Sequence, residues 1–231
     1  MIALHHLTYG YHRQAPLGTI DGRFEPGSLT AIIGPNGSGK STLLKTLAGL
    51  MPPLSGCVCL APDVTRPIGY LPQLSEFDRQ FPISVGDLVL MGCVPDSGLF
   101  GRLTPALRRQ AREALDTVGM SAAEHVHIGR LSGGQLQRVL FARLLVMRSP
   151  VILLDEPFTG IDAETIRMLW QVIRQLHEEG RTLLAVLHDL EQVEQHFPRV
   201  VMLNDDGPRW GDCRELLPSQ RVPQSPLRRV Q

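Results

Sequence analysis

One stretch, Gly34-Pro35-Asn36-Gly37-Ser38-Gly39-Lys40-Ser41-Thr42, constrains this chain more than any other. It fits the pattern G-x-x-x-x-G-K-[ST], a loop that wraps phosphate groups. An apolar run, Leu29 to Ile33, leads into it, and a helix-compatible segment from Thr42 to Leu50 leads out. The motif requires that strand–loop–helix setting. Its glycines let backbone N–H groups turn inward around phosphate oxygens. The following helix N-terminus adds partial positive charge. In such a loop Lys40 reaches the β- and γ-phosphates as a point charge, and the Ser41 hydroxyl binds Mg²⁺.

Short apolar runs alternate with longer helical patterns elsewhere in the chain. Buried strands are expected at Leu29–Ile33, Val151–Leu154, Leu183–Leu187 and Val200–Leu203. Continuous apolar runs of this length suit parallel strands covered on both faces. Helices are expected at Thr42–Leu50, Leu107–Val118, Gln135–Met147, Ala163–Glu178 and Leu190–Gln195. Met51-Pro52-Pro53 should stop the first, and Gly180 should follow the fourth as its C-terminal cap region. The alternation is that of an α/β fold. Two regions depart from it. Residues 1–28 carry hairpin-like material and Gly/Pro turns, which suggests an antiparallel edge sheet. Residues 74–130 show loop and helix but no clear strand, so they read as a helical insertion, and with the helix after them the helical subdomain extends to about residue 148.

Composition sets outer limits. Lys plus Arg and Asp plus Glu both number 23 in a chain of 231 residues, a formal net charge of zero. That argues against nucleic-acid binding through a broad basic surface. No apolar run approaches the roughly 18 residues that span a bilayer. The start, Met1-Ile2-Ala3-Leu4-His5-His6, has no basic stretch followed by an apolar core, so no signal peptide is expected and the protein should be cytosolic. In that setting Cys57, Cys59, Cys93 and Cys213 should be reduced. Cys57-Val58-Cys59 can place two thiols on one face of a strand. A metal there needs further ligands that the sequence does not obviously offer, so these cysteines read as structural. His5, His6, His12, His125 and His127 match no zinc spacing and read as ordinary histidines. The tail, 217–231, mixes three prolines with three arginines and reads as loosely docked.

Two further motifs bring the chemistry into focus. Val151-Ile152-Leu153-Leu154-Asp155-Glu156-Pro157 runs from apolar residues into two acids. A buried strand would carry Asp155 to its C-terminal edge, where open α/β sheets bind ligands and where it can hold the Mg²⁺ shell. Glu156, one residue on, is placed to polarise an attacking water as general base. Leu131-Ser132-Gly133-Gly134-Gln135 precedes a helical pattern. A serine and two glycines at a helix start make a second anion-binding terminus.

With these residues in view, the chain resembles an ATP-binding-cassette ATPase, the motor subunit of ABC transporters, over nearly its whole length. Gly34–Thr42 corresponds to the family's Walker A loop. Tyr11 falls where the family places an aromatic that stacks on adenine, with Tyr9 as the rival ring. Gln73, in Tyr70-Leu71-Pro72-Gln73, corresponds to the Q-loop. Leu131–Gln135 corresponds to the signature motif. Asp155 and Glu156 correspond to the Walker B aspartate and the catalytic glutamate. Asp162, in Thr159-Gly160-Ile161-Asp162, corresponds to the D-loop, and His188, in Val186-Leu187-His188-Asp189, to the switch histidine.

The resemblance implies a single ATP-binding domain over 1–231: an α/β ABC-type P-loop ATPase core with a mixed or parallel sheet, an N-terminal antiparallel β subdomain and a helical insertion subdomain. Lys40, Glu156 and His188 would be catalytic. Tyr11, Gly34 to Thr42, Ser132 to Gln135 and Asp162 would contact ATP, and Ser41, Gln73 and Asp155 would hold Mg²⁺. It also implies two cassettes packed head to tail, with ATP on Gly34–Thr42 of one closed over by Ser132–Gln135 of the other. Integral-membrane permease subunits would be partners, placing the protein on the inner face of the cell membrane, with a periplasmic or extracellular metal-binding protein acting upstream. No nucleic acid is expected as a partner.

The segment Phe81-Pro82-Ile83-Ser84-Val85-Gly86-Asp87-Leu88-Val89-Leu90-Met91-Gly92 resembles the region after the Q-loop in zinc and manganese importers. Glu156-Pro157-Phe158-Thr159-Gly160-Ile161-Asp162 also resembles that group, and no added regulatory domain is expected after about residue 215. Zinc is therefore the first expected cargo, then manganese, then iron chelates. A soluble cassette ATPase without a membrane partner and an exporter motor are the competing readings. A DNA-repair or chromosome-organising ATPase is disfavoured, because 74–130 shows no sustained heptad pattern.

Overall fold

The computed structural model describes residues 2–62, 64–94, 103–204 and 206–217. The apolar runs translate directly into a central sheet. Strands β1 (Ile2–Tyr9), β2 (Gly18–Phe24), β3 (Leu29–Ile33), β4 (Ser55–Leu60), β5 (Gly69–Leu71), β6 (Val151–Asp155), β7 (Thr182–Val186), β8 (Arg199–Met202) and β9 (Arg209–Asp212) form two sheets. One has the order β5-β6-β7-β3-β8-β9 and the other β2-β1-β4. In the larger sheet β5, β6, β7, β3 and β8 are parallel, and β9 closes the edge antiparallel to β8. Every residue of β3, β6 and β7 is buried. Those three apolar runs can hide both faces only at the centre of a covered sheet.

The faces of this sheet carry different layers. Leu29, Ala31, Ile152, Leu154, Leu183 and Ala185 point into a core shared with the helices α2 (Val85–Leu90), α3 (Pro105–Thr117), α4 (Gly133–Met147), α5 (Ala163–Glu178) and α6 (Leu190–His196). Ile32, Leu153, Leu184 and Val186 point the other way, towards α1 (Lys40–Leu47) and the inner face of the three-stranded sheet. Burying each such aliphatic side chain is worth about 1.5–3 kcal/mol. A short last helix, α7 (Cys213–Leu216), follows β9.

The expected elements appear with small shifts. Helix α5 matches its expected range, while β7 and β8 lie one residue earlier than expected. Helix α1 begins at Lys40, two residues early, because the phosphate loop runs straight into it. It also stops earlier than Met51-Pro52-Pro53. Gly49 adopts φ 72°, its N–H bonds Thr46 O at 3.1 Å, and the Leu50 N–H bonds Lys45 O at 2.9 Å. This glycine-closed Schellman turn ends the helix before the prolines are reached.

The expected antiparallel sheet in 1–28 is present as β1 and β2, and β4 adds a third strand from further along the chain. No described residue of 74–130 lies in a strand; Ser84 and His127 form only an isolated bridge. The four cysteines divide into two pairs. Cys93 and Cys213 are buried, as structural residues should be. Cys57 and Cys59 are exposed: they sit on the outer face of β4 while Val58 packs inward. Expectations for the tail fall on 218–231, outside the described residues. Among the described residues no helix is long and apolar enough to cross a membrane.

Candidate functional site

The register of the parallel sheet brings distant residues together at one edge. Asp155, the last residue of β6, pairs with Val186 of β7. The Glu156 N–H then bonds Val186 O at 3.2 Å. Glu156 follows one strand end and His188 the other, so their side chains meet: His188 Nε2 and Glu156 Oε1 are 2.6 Å apart. Thr159 Oγ1 donates to the other carboxylate oxygen, Oε2, at 3.1 Å. Glu156 adopts φ 47°, a left-handed conformation that costs a non-glycine residue about 1–2 kcal/mol. That turn leaves the sheet sharply and keeps the carboxylate at its edge. His188 precedes α6, and Asp189 is the residue that caps it.

Between β3 and α1, the phosphate loop rims a cavity of about 550 Å³. Asn36, Gly37, Gly39, Lys40, Ser41 and Thr42 line it, with Tyr11, Gln73, Glu156 and His188 around them. Lys40 is buried, and its ammonium donates to Gly34 O at 2.9 Å and Pro35 O at 2.8 Å. Burial lowers the Lys40 pKa, opposed by the negative charges of Glu156 and Asp155. Gly39 packs against the Tyr9 ring so closely that a Cβ there would stand 2.8 Å from it, at φ 82°. The loop can approach β1 only with glycine at that position. Pro35 and Ser38 face a second cavity, shared with Tyr9, Gly18 and Asn204.

The residues expected to hold a divalent cation also converge. Ser41 Oγ donates to Asp155 Oδ1 at 2.9 Å, and Gln73 Nε2 donates to Ser41 Oγ at 3.5 Å. Hydroxyl, carboxylate and amide oxygens form the hard donor set that Mg²⁺ takes, so these residues fit that ion. Asp155 is fully buried, and burial raises its carboxyl pKa, with the Ser41 hydrogen bond opposing the rise. Tyr70 adds a hydroxyl bond to Asp155 Oδ2 at 3.3 Å.

The two tyrosines proposed for the base separate clearly. Tyr11 is 47% exposed and stands at the cavity rim. Tyr9 is buried between Gly18 and Gly39, where burial pushes its hydroxyl pKa up to about 12.

The signature segment lies elsewhere in the chain. Ser132 caps α4 through a reciprocal pair with Gln135: the Ser132 N–H donates to Gln135 Oε1 at 2.9 Å, and the Gln135 N–H to Ser132 Oγ at 3.2 Å. None of Ser132, Gly133, Gly134 and Gln135 lines the phosphate-loop cavity of its own chain. Gly134 instead faces Asp162, whose Oδ2 would stand 3.0 Å from a Cβ there. Asp162 caps α5 by accepting from the Thr165 N–H at 2.8 Å and from Thr165 Oγ1 at 2.9 Å, bonds that lower its pKa. It does not line that cavity either.

Three polar residues at the site were not legible as motifs. Tyr70 lies on β5, a strand too short to stand out in the sequence. Thr159 acts through a turn that only the fold reveals. Gln137 is buried and donates to Pro157 O at 2.7 Å, tying α4 to the turn after Glu156. Its one signal was a polar residue among Leu136, Val139 and Leu140 on an apolar helix face.

Residues 17–159 match the profile of the ABC transporter family. The manganese transport system ATP-binding protein MntB of Listeria monocytogenes is 40% identical over 220 residues, covering 94% of this chain and 92% of its own length. The zinc transport system ATP-binding protein TroB of Treponema pallidum is 43% identical over 202 residues, covering 86% of this chain and 76% of its own. Among solved structures, a protein described as a metal-chelate type ABC transporter in an inward-facing conformation aligns with a TM-score of 0.82 at 28% identity, over 94% of this chain and 84% of that one. A dimeric ATP-binding cassette in a post-hydrolysis state, bound to ADP and phosphate, aligns with a TM-score of 0.78 at 26% identity, over 93% and 99%. A phosphate loop, a strand-end acid pair and this kinship converge on one assignment: the chain belongs to the ABC transporter family and is an ABC-type ATPase.

Proposed function

We propose that this ATPase drives a metal-ion importer, with zinc as its first cargo and manganese as the second reading. The observation that carries metal uptake is kinship over most of the chain with ATP-binding subunits named for manganese and zinc transport. Both names support metal transport equally. The Phe81–Gly92 segment resembles zinc and manganese importers alike, and zinc is placed first by kinship with that group only. No residue of this subunit need touch the cargo. A permease would supply the membrane passage, and a binding protein outside the membrane would deliver the ion.

The proposed chemistry follows from the site. The N–H groups of the loop and the α1 N-terminus bind the phosphates, and the Lys40 ammonium neutralises part of their charge. Ser41, Asp155 and Gln73 would hold Mg²⁺, which supplies charge neutralisation at the phosphate oxygens when bound. Glu156 takes the proton of the attacking water on its carboxylate. His188 orients Glu156 across the 2.6 Å contact and would face the terminal phosphate of a bound nucleotide. The segment Ser132–Gln135 stands apart from the cavity of its own chain, so its anion-binding helix start is available to a nucleotide on a second copy. Such a closure answers to the terminal phosphate and is released on hydrolysis, which makes the pair a ligand-dependent two-state element.

Tyr11, rather than Tyr9, would stack on the adenine. Tyr11→Ala should weaken ATP by about 0.5–1.5 kcal/mol in a binding titration. If only Tyr9→Ala produced that loss, the assignment of the ring would be wrong.

The cargo is tested by uptake. In cells lacking this chain, labelled Zn²⁺ and Mn²⁺ uptake are compared before and after its gene is restored. Recovery of Zn²⁺ uptake alone supports the zinc reading. Recovery of Mn²⁺ uptake alone replaces it with manganese. Recovery of neither overturns both the zinc and the manganese readings.

A further inference from the structure

The three-stranded sheet turns one face towards α1 and leaves the other in solvent. Cys57 and Cys59 lie on that outer face, on a strand that, among the described residues, pairs with β1 alone. Their Sγ atoms are 3.6 Å apart, in hydrogen-bond contact. The ladder pairs Cys57 with His5 and Cys59 with Ala3. Directly paired residues in an antiparallel ladder share a face, with Cβ atoms about 4.5–5.5 Å apart. The exposed His5 is therefore the residue directly across from Cys57 on that face, within reach by side-chain rotation, and the small Ala3 lies across from Cys59. The neighbouring His6 is engaged differently: its Nδ1 lies 2.9 Å from Asp21 Oδ2.

We propose that Cys57, Cys59 and His5 form a surface chelate for a borderline-soft divalent cation, Zn²⁺ by preference. Two Zn–S bonds of about 2.3 Å at a tetrahedral angle separate their sulfurs by about 3.8 Å. The observed 3.6 Å is already close to that span. Among the described residues no three His, Cys, Asp or Glu side chains are yet gathered as a metal cluster, so the two sulfurs are the preset half and His5 joins by side-chain rotation. Water completes the tetrahedron. Each thiol gives its proton to solvent as its bond to the metal forms, so the two thiolates balance the charge of the ion. A disulfide suits this spacing less well. Two steps along a strand separate the Cα atoms by about 6.7 Å, at the upper end of what a disulfide bridges. The site stands apart from the phosphate-loop cavity and does not depend on which metal the assembled transporter carries.

The test uses the whole chain, kept reduced with a phosphine and free of nucleotide. Zn²⁺ is titrated in competition with a chromophoric chelator, and Cd²⁺ in parallel for its sulfur-to-metal absorption band. Expected are one Zn²⁺ per chain and a thiolate band with Cd²⁺, both lost in the Cys57→Ser/Cys59→Ser variant. His5→Ala should weaken Zn²⁺ by at least about tenfold, the loss that even an outer-shell partner of a metal ligand costs. The double serine variant should keep the wild-type melting temperature without metal, because both thiols are exposed. Zn²⁺ binding of equal stoichiometry and affinity in wild type and the double serine variant would overturn the site. So would the absence of a thiolate band, or loss of the bound ion on Asp155→Asn instead.

Discussion

Glu156→Gln should lower ATP turnover by about 10²–10⁴-fold while leaving nucleotide affinity at the wild-type level. The reason is local. Glu156 is held at the end of β6 by a backbone bond to Val186, and its carboxylate is fixed by His188 at 2.6 Å and Thr159 at 3.1 Å. Glutamine has the same shape. Its carbonyl accepts from Thr159, and its amide donates to a neutral His188, so the surroundings persist. What is lost is the ability to accept a proton from water. Melting temperature and nucleotide titration should match wild type, and steady-state phosphate release should fall. Turnover near wild type would contradict the role of general base.

Lys40→Ala should abolish tight nucleotide binding. The side chain is 5% exposed and is anchored by the carbonyls of Gly34 and Pro35. Its ammonium is thus fixed inside the loop before any phosphate arrives. A charged hydrogen bond is worth about 1.5–3 kcal/mol, so its removal should weaken ATP by roughly 10- to 100-fold or more. Truncation also leaves the two carbonyls without their partner and so loosens the loop. Circular dichroism separates that effect from unfolding, because α1 and the sheet keep their own apolar contacts. Unchanged affinity in a titration would remove the phosphate-loop reading altogether.

The sequence showed the centre of the fold better than its edges. β3, β6 and β7 were legible because burial on both faces demands uninterrupted apolar residues. β4 was not, because Ser-Gly-Cys-Val-Cys-Leu pairs on one side only and turns mainly Val58 inward. β5 has three residues, and β9, Arg-Trp-Gly-Asp, is a polar edge; neither carries a periodic signal. Helix α2 was overlooked because six residues give too short a window, although Ser84 caps it in the ordinary way. The site divides on similar lines. Lys40, Ser41, Gln73, Asp155, Glu156 and His188 were all readable from motifs, and the fold gathers them around one cavity or at the Ser41–Asp155 contact beside it. Tyr70, Thr159 and Gln137 act through contacts that only the register of the sheet and the packing of α4 create. Asp162 was read as a nucleotide contact; within one chain its carboxylate is occupied in capping α5.

The helix start at Ser132–Gln135 is capped by its own side chains and does not line the phosphate-loop cavity of its own chain. A crystal structure of the Glu156→Gln protein with ATP and Mg²⁺ tests that point directly. The account predicts two copies head to tail, with Ser132 and the N–H groups of Gly133 and Gly134 of one against the terminal phosphate held by Gly34–Thr42 of the other. A nucleotide-loaded structure in which those residues touch no phosphate would contradict it.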